Sequence, residues 1–116
     1  MIDILNIVAA ILTIAFGGFG FLAPKFTAGV LDLAPTGSNM GLSEMRASVG
    51  GLFVVLGLAC LWIGSPIAYA MMGFAYAGAA AGRGLSLVLD QPPMPKALVY
   101  FAIEAVLALW LIFANL

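Results

Sequence analysis

Histidine is missing from this chain of 116 residues, cysteine occurs once, and only 8% of the residues are charged. Without histidine the commonest metal ligand, the commonest haem ligand and the usual general base are all excluded. The lone Cys60 rules out a disulfide within the chain, so nothing can be read from it about redox compartment. Four basic residues against five acidic ones give a net charge of −1 and no electrostatic footprint for nucleic acid. The glycine-rich segments lack the strand-to-helix setting and the Lys-Ser/Thr ending of a phosphate loop. No nucleophile–base pair exists, so an enzyme is the least supported reading, and no catalytic residue is assigned. The six methionines read as packing, with no metal site.

What is abundant is apolar surface. The chain is 65% hydrophobic with a mean hydropathy of +1.20. A water-soluble domain this small has too little interior to hide it. Four apolar stretches, 4–23, 47–64, 67–89 and 97–114, approach the ~20 residues that a helix needs to cross a bilayer. The expected fold is all-α, a single domain over 1–116: an integral membrane antiparallel four-helix bundle. The first stretch follows Met1-Ile2-Asp3, with no basic segment ahead of it, and is expected to be retained as a span.

The connections set the path. Residues 24–46 contain the turn signal Pro35-Thr36-Gly37-Ser38-Asn39. Within them Phe26 to Leu33 is weakly amphipathic and reads as a short interfacial helix. Ser43 reads as the N-cap of the second span, with Glu44 in its first turn. Gly64-Ser65-Pro66 joins spans two and three, glycine ending one helix and proline starting the next. The connection 90–96 holds three prolines, which stiffen it. Lys25 and Arg46 flank the first connection, Arg83 and Lys96 the third. All four basic residues therefore lie on one side, which the positive-inside rule makes cytoplasmic. Both termini face the other way: N-out and C-out, in a bacterial inner membrane, with loops 24–46 and 90–96 cytoplasmic. Trp62 and Trp110 fall near the non-cytoplasmic ends of their spans, as interface anchors do.

Two features mark helix surfaces. Span three is full of small residues, and Gly78 and Gly82 form a small-xxx-small step of the kind that lets helix backbones approach in lipid. Gly50 and Gly51 in span two read as packing positions too. Charge at bilayer depth is costly, so it should be paired or face protein. Arg83 lies about 10 Å inside the cytoplasmic end of span three, and Glu104 about 12 Å inside the same end of span four. The matching depths point to an ion pair. Around it a polar cluster is expected from Glu44, Arg46, Ser48, Arg83, Ser86, Asp90, Tyr100 and Glu104. It serves either to pin helix order or to receive a headgroup, a quinone or a partner subunit.

The run Glu44-Met45-Arg46-Ala47-Ser48-Val49-Gly50-Gly51, then Gly82-Arg83-Gly84-Leu85-Ser86 before Asp90, then Tyr100 with Glu104, resembles domain-of-unknown-function family 4345. That family comprises small bacterial four-helix membrane proteins, similar in plan to the DoxX-like proteins. The resemblance covers most of the chain. It implies the same topology and no activity. The leading functional expectation is an accessory or structural subunit of a larger membrane complex, or a homo-oligomer, in contact with the lipid bilayer. The alternative is a binding or carrier protein for a lipid, a quinone or a pigment. No other cofactor is expected.

Overall fold

The computed structural model describes residues 2–116, and side chains from Asp3 onward. Among these residues there are five helices and no strand. Helix α1 is Ile2–Leu22 and α2 is Pro24–Val30. Helix α3 is Met40–Ile63, with a π-helical stretch at Met45–Gly51 inside it. Helix α4 is Pro66–Leu89 and α5 is Met94–Asn115. The chain forms two compact units, Asp3–Trp62 and Ile63–Leu116.

In the first unit, α1 stops because of proline. The residue before a proline is driven out of the helical region, and Ala23 sits at φ −131°, ψ 63° ahead of Pro24. Helix α2 ends in a Schellman motif: Leu33 N–H donates to the Ala28 carbonyl at 2.8 Å and Asp32 N–H to Gly29 at 3.2 Å. Asp32 takes the left-handed φ of 60°, which a short polar side chain tolerates. The short helix expected over 26–33 therefore lies at Pro24–Val30. Ser43 is not an N-cap. Its N–H already donates to Asn39 O at 3.1 Å, inside a helix whose first N–H, that of Met40, is received by the Ser38 hydroxyl at 3.2 Å. The N-cap position is Asn39, and the serine that receives the first N–H is the one before it, inside the turn signal.

Helices α1 and α3 run antiparallel, and glycine is what holds them together. A Cβ at Gly57 would lie 2.8 Å from the Ala10 carbonyl and 2.6 Å from Ile14 Cγ1. One at Gly17 would lie 2.7 Å from Val54 N and 2.8 Å from Gly50 O. One at Gly20 would lie 3.0 Å from Gly50 N. Backbone thus meets backbone with no side chain between. In lipid, where the hydrophobic effect gives helices no reason to associate, such close dispersion contact supplies the attraction. The buried face of α1 is accordingly small: beyond Asn6 it consists of Ala9, Ala10, Thr13, Gly17 and Gly20. Thr13 satisfies its hydroxyl by donating to Ala9 O at 2.8 Å.

In the second unit, α4 starts on a designed cap. Gly64 takes φ 69°, the Ser65 hydroxyl accepts from Ala68 N–H at 3.3 Å, and Pro66 occupies the first turn. Helices α4 and α5 pack antiparallel. Met72 and Leu111 are fully buried, and a Cβ at Gly73 would lie 2.8 Å from Leu111 Cβ. The close approach of α4 is therefore at Gly73. At Gly78 and Gly82 an added Cβ meets nothing within 4 Å. Those two glycines lie on a different face of the helix from the buried Tyr69, Met72, Gly73, Tyr76 and Ala80.

Large apolar side chains coat the outside. Trp62 is 90% exposed and Phe113 75%. Such a surface is stable against hydrocarbon and not against water. Asp3–Leu22, Met40–Ile63 and Met94–Asn115 are each long and apolar enough to span a bilayer. Helix α4 has the length, 24 residues, but its tyrosines, glycines, Ser86 and Arg83 dilute its hydropathy, and it is not among the three. Trp110 departs from the anchor expectation: its indole Nε1 is buried, with no hydrogen-bond partner among the described residues.

Candidate functional site: two polar groups

The polar residues singled out in the sequence divide between the units. Glu44, Arg46 and Ser48 belong to the first, and Arg83, Ser86, Asp90, Tyr100 and Glu104 to the second.

In the first unit the site is built by the π-helical turn. Leu52 N–H reaches back to Ala47 O, five residues away, the signature of π winding. This wider winding brings Arg46 and Gly50 onto the same residue of α1. Arg46 Nη1 donates to the Phe21 carbonyl at 2.6 Å, and a Cβ at Gly50 would overlap the Phe21 amide nitrogen and lie 2.6 Å from Phe21 Cα. Phe21 is among the last residues of α1, where carbonyls lose their helical partners. Pro24, the residue that would serve Gly20, has no N–H. A guanidinium is suited to this end: it satisfies a carbonyl and complements the negative end of the helix dipole. Glu44 and Ser48 pair with each other one turn apart, the Ser48 hydroxyl donating to Glu44 Oε2 at 3.1 Å. Gly51 lies alongside: a Cβ there would make ordinary contact with the Phe21 ring, at 3.6 Å.

In the second unit, Arg83 and Glu104 meet in a two-pronged ion pair. Arg83 Nε donates to Oε1 and Nη2 to Oε2, each at 3.0 Å. Tyr100 precedes Glu104 by one turn of α5, and its ring lies 5.3 Å from Arg83 Cζ, a cation–π distance. Gly84 makes room next to Arg83, where a Cβ would sit 3.3 Å from the Phe101 ring. Ser86 and Asp90 meet through the backbone, Asp90 N–H donating to the Ser86 carbonyl at 2.8 Å where α4 ends. Gln91 follows at φ 49°.

Two recesses open on the first unit. One, of about 670 Å³, is lined by Leu22, Lys25, Phe26, Asn39, Ser43 and Arg46 among others. The other, of about 290 Å³, is mostly apolar, with Glu44 and Ser48 among its lining residues. Among the described residues no three Cys, Asp or Glu side chains converge to hold a metal ion. Sequence reasoning missed the cap on Phe21, because the open carbonyl of a last-turn helix residue has no signature of its own. It also missed the small face of α1, whose 10-13-17-20 spacing was available as a signal.

A family model described as domain of unknown function (DUF4345) matches residues 1–115. No curated protein and no solved structure matches the chain.

Proposed function

We propose, for a chain that belongs to the family described as domain of unknown function DUF4345, the role of a four-span accessory subunit that docks to other membrane helices, either copies of itself or a larger assembly. The observation that carries this reading is the open Gly78–Gly82 step. Gly17, Gly20, Gly50, Gly57 and Gly73 are each filled by a neighbouring helix of their own unit. Gly78 and Gly82 are exposed, next to exposed Ala75 and Ala81, and have no such neighbour. Glycine in a helix interior costs about 0.5–1 kcal/mol relative to alanine. A bare stripe of this type is useful where another backbone comes close.

Blue-native electrophoresis of gently solubilised membranes tests the reading. The parent is expected to migrate above monomer size. The double variant Gly78→Leu with Gly82→Leu is expected to remain folded, since nothing lies within 4 Å of either position, and to run as a monomer. A parent found only as monomer, or a double variant that assembles normally, counts against it.

In this reading α4 is the fourth span, its lower hydropathy offset by the engagement of Arg83 with Glu104 and Tyr100. Both termini would then face away from the cytoplasm of a bacterial cell: Lys25 and Arg46 flank the first connection, Arg83 and Lys96 the third, and an up-down path with the positive-inside rule makes both connections cytoplasmic. With Cys60 replaced, Gln91→Cys is expected to resist membrane-impermeant maleimide added from outside and to react once the membrane is opened. Labelling from outside would reverse the orientation. The carrier reading, for a lipid, quinone or pigment held by the polar cluster, has less support. The Arg83 and Glu104 side chains are spent on each other in a two-pronged pair, and Glu44 accepts from Ser48.

A further inference from the structure

We infer that the recess at the end of α1, where Lys25 and Arg46 face one cavity beside exposed Leu22 and Phe26, is a headgroup site for an anionic phospholipid. It is an open recess of about 670 Å³, accessible from the surface as a headgroup site must be. The charge is complementary to a phosphodiester: two cations line it and no carboxylate does. Asn39 and Ser43 add neutral hydrogen-bond donors. Arg46 spends Nη1 on the Phe21 carbonyl. A guanidinium carries five N–H donors, so the fork retains donors for a ligand while that bond fixes its position.

Depth selects the ligand. The recess begins where the apolar segment Asp3–Leu22 ends, so it lies at the level of lipid headgroups. Leu22 is 75% exposed and Phe26 64%, which gives an acyl chain an apolar path past the cations. Basic pockets at this level bind anionic headgroups in preference to zwitterionic ones. The neighbouring recess illustrates the contrast: it carries Glu44 and no basic residue, and so has nothing to hold an anion. This inference goes beyond the docking role and requires only that the chain sit in a bilayer.

Native mass spectrometry of the detergent-purified full chain tests it, with dioleoyl-phosphatidylglycerol, dioleoyl-phosphatidylcholine or inorganic phosphate added in separate arms. Phosphatidylglycerol is expected to be retained over phosphatidylcholine and not to be displaced by inorganic phosphate. Lys25→Gln changes an exposed side chain and is expected to lower that retention roughly fivefold, with Lys25→Arg restoring it and Lys96→Gln leaving it unchanged. Arg46→Gln is expected to lower it as well. Equal retention of the two lipids would overturn the inference. So would retention unaltered in Lys25→Gln, an equal loss in Lys96→Gln, or displacement by inorganic phosphate. The same measurement on the Gly78→Leu/Gly82→Leu variant separates the two proposals, since lipid retention there should match the parent even if assembly is lost.

Discussion

Glu104→Gln is expected to destabilise the fold by about 3 kcal/mol, more than removing its partner at the same time. The single change leaves Arg83 charged and without its carboxylate. Breaking one side of a buried pair costs ~3–5 kcal/mol, whereas replacing both sides with apolar residues is often near neutral. We take the lower end because Arg83 keeps a third of its side chain exposed, against 16% for Glu104. In the proposed bilayer setting that exposed part meets hydrocarbon, where water cannot screen the stranded charge. The Tyr100 ring recovers only part of the loss, since a cation–π contact contributes about 0.5–2 kcal/mol. Arg83→Met with Glu104→Leu is therefore expected to stay within about 1 kcal/mol of the parent. Unfolding by detergent titration of the four members of a double-mutant cycle gives the coupling directly. Additive losses would mean that the two-pronged bond contributes no stability.

Gly50→Ala should be nearly as damaging, although it adds one methyl group. The new Cβ would overlap the backbone of Phe21, with Phe21 Cα at 2.6 Å and Gly20 C at 2.8 Å. Backbone atoms cannot rotate away as a side chain can. The π-helical turn holding Gly50 also positions Arg46 on the same residue, so separating the helices weakens the Phe21 cap too. Overpacking costs typically ~1–3 kcal/mol, and we expect about 3 kcal/mol here. Gly78→Ala is the matched control. With nothing within 4 Å, it should be neutral or stabilise the monomer by up to about 1 kcal/mol through helix propensity. The same titration compares them, and equal effects at the two sites would contradict the packing described for α1 and α3.

The contrast between these glycines shows what the sequence could and could not convey. Helix ends were legible where chemistry punctuates them: Pro24 after α1, Gly64-Ser65-Pro66 before α4, and the proline run before α5. The pairing of Arg83 with Glu104 was legible because both lie a similar number of residues from the connection 90–96, which puts them level on antiparallel neighbours. Which glycine faces a neighbour was not legible. Gly73, Gly78 and Gly82 look alike in a row of small residues, and only the rotation of α4 against Leu111 decides that Gly73 is the buried one. The early start of α3 at Met40 was hidden because Met40–Glu44 is short and half polar, and so reads as loop. The π-helical turn had no periodic signal at all, since one wide turn does not repeat. Its residues, Arg46 to Gly51, nonetheless carry much of the family resemblance. A Gly-Gly pair beside an arginine is what a wide turn against another backbone needs.

The docking role is tested most directly by cross-linking from the open face of α4 in native membranes. In a chain with Cys60 replaced by Ala, Gly78→Cys is treated with a short thiol-reactive photo-cross-linker, with Val106→Cys on an exposed face of α5 as the control. A discrete adduct is expected from position 78, at twice the mass of the chain or at the mass of the chain plus one defined membrane protein, and none of comparable yield from position 106. A position 78 that gives only unlinked monomer, or the same diffuse products as position 106, would contradict it.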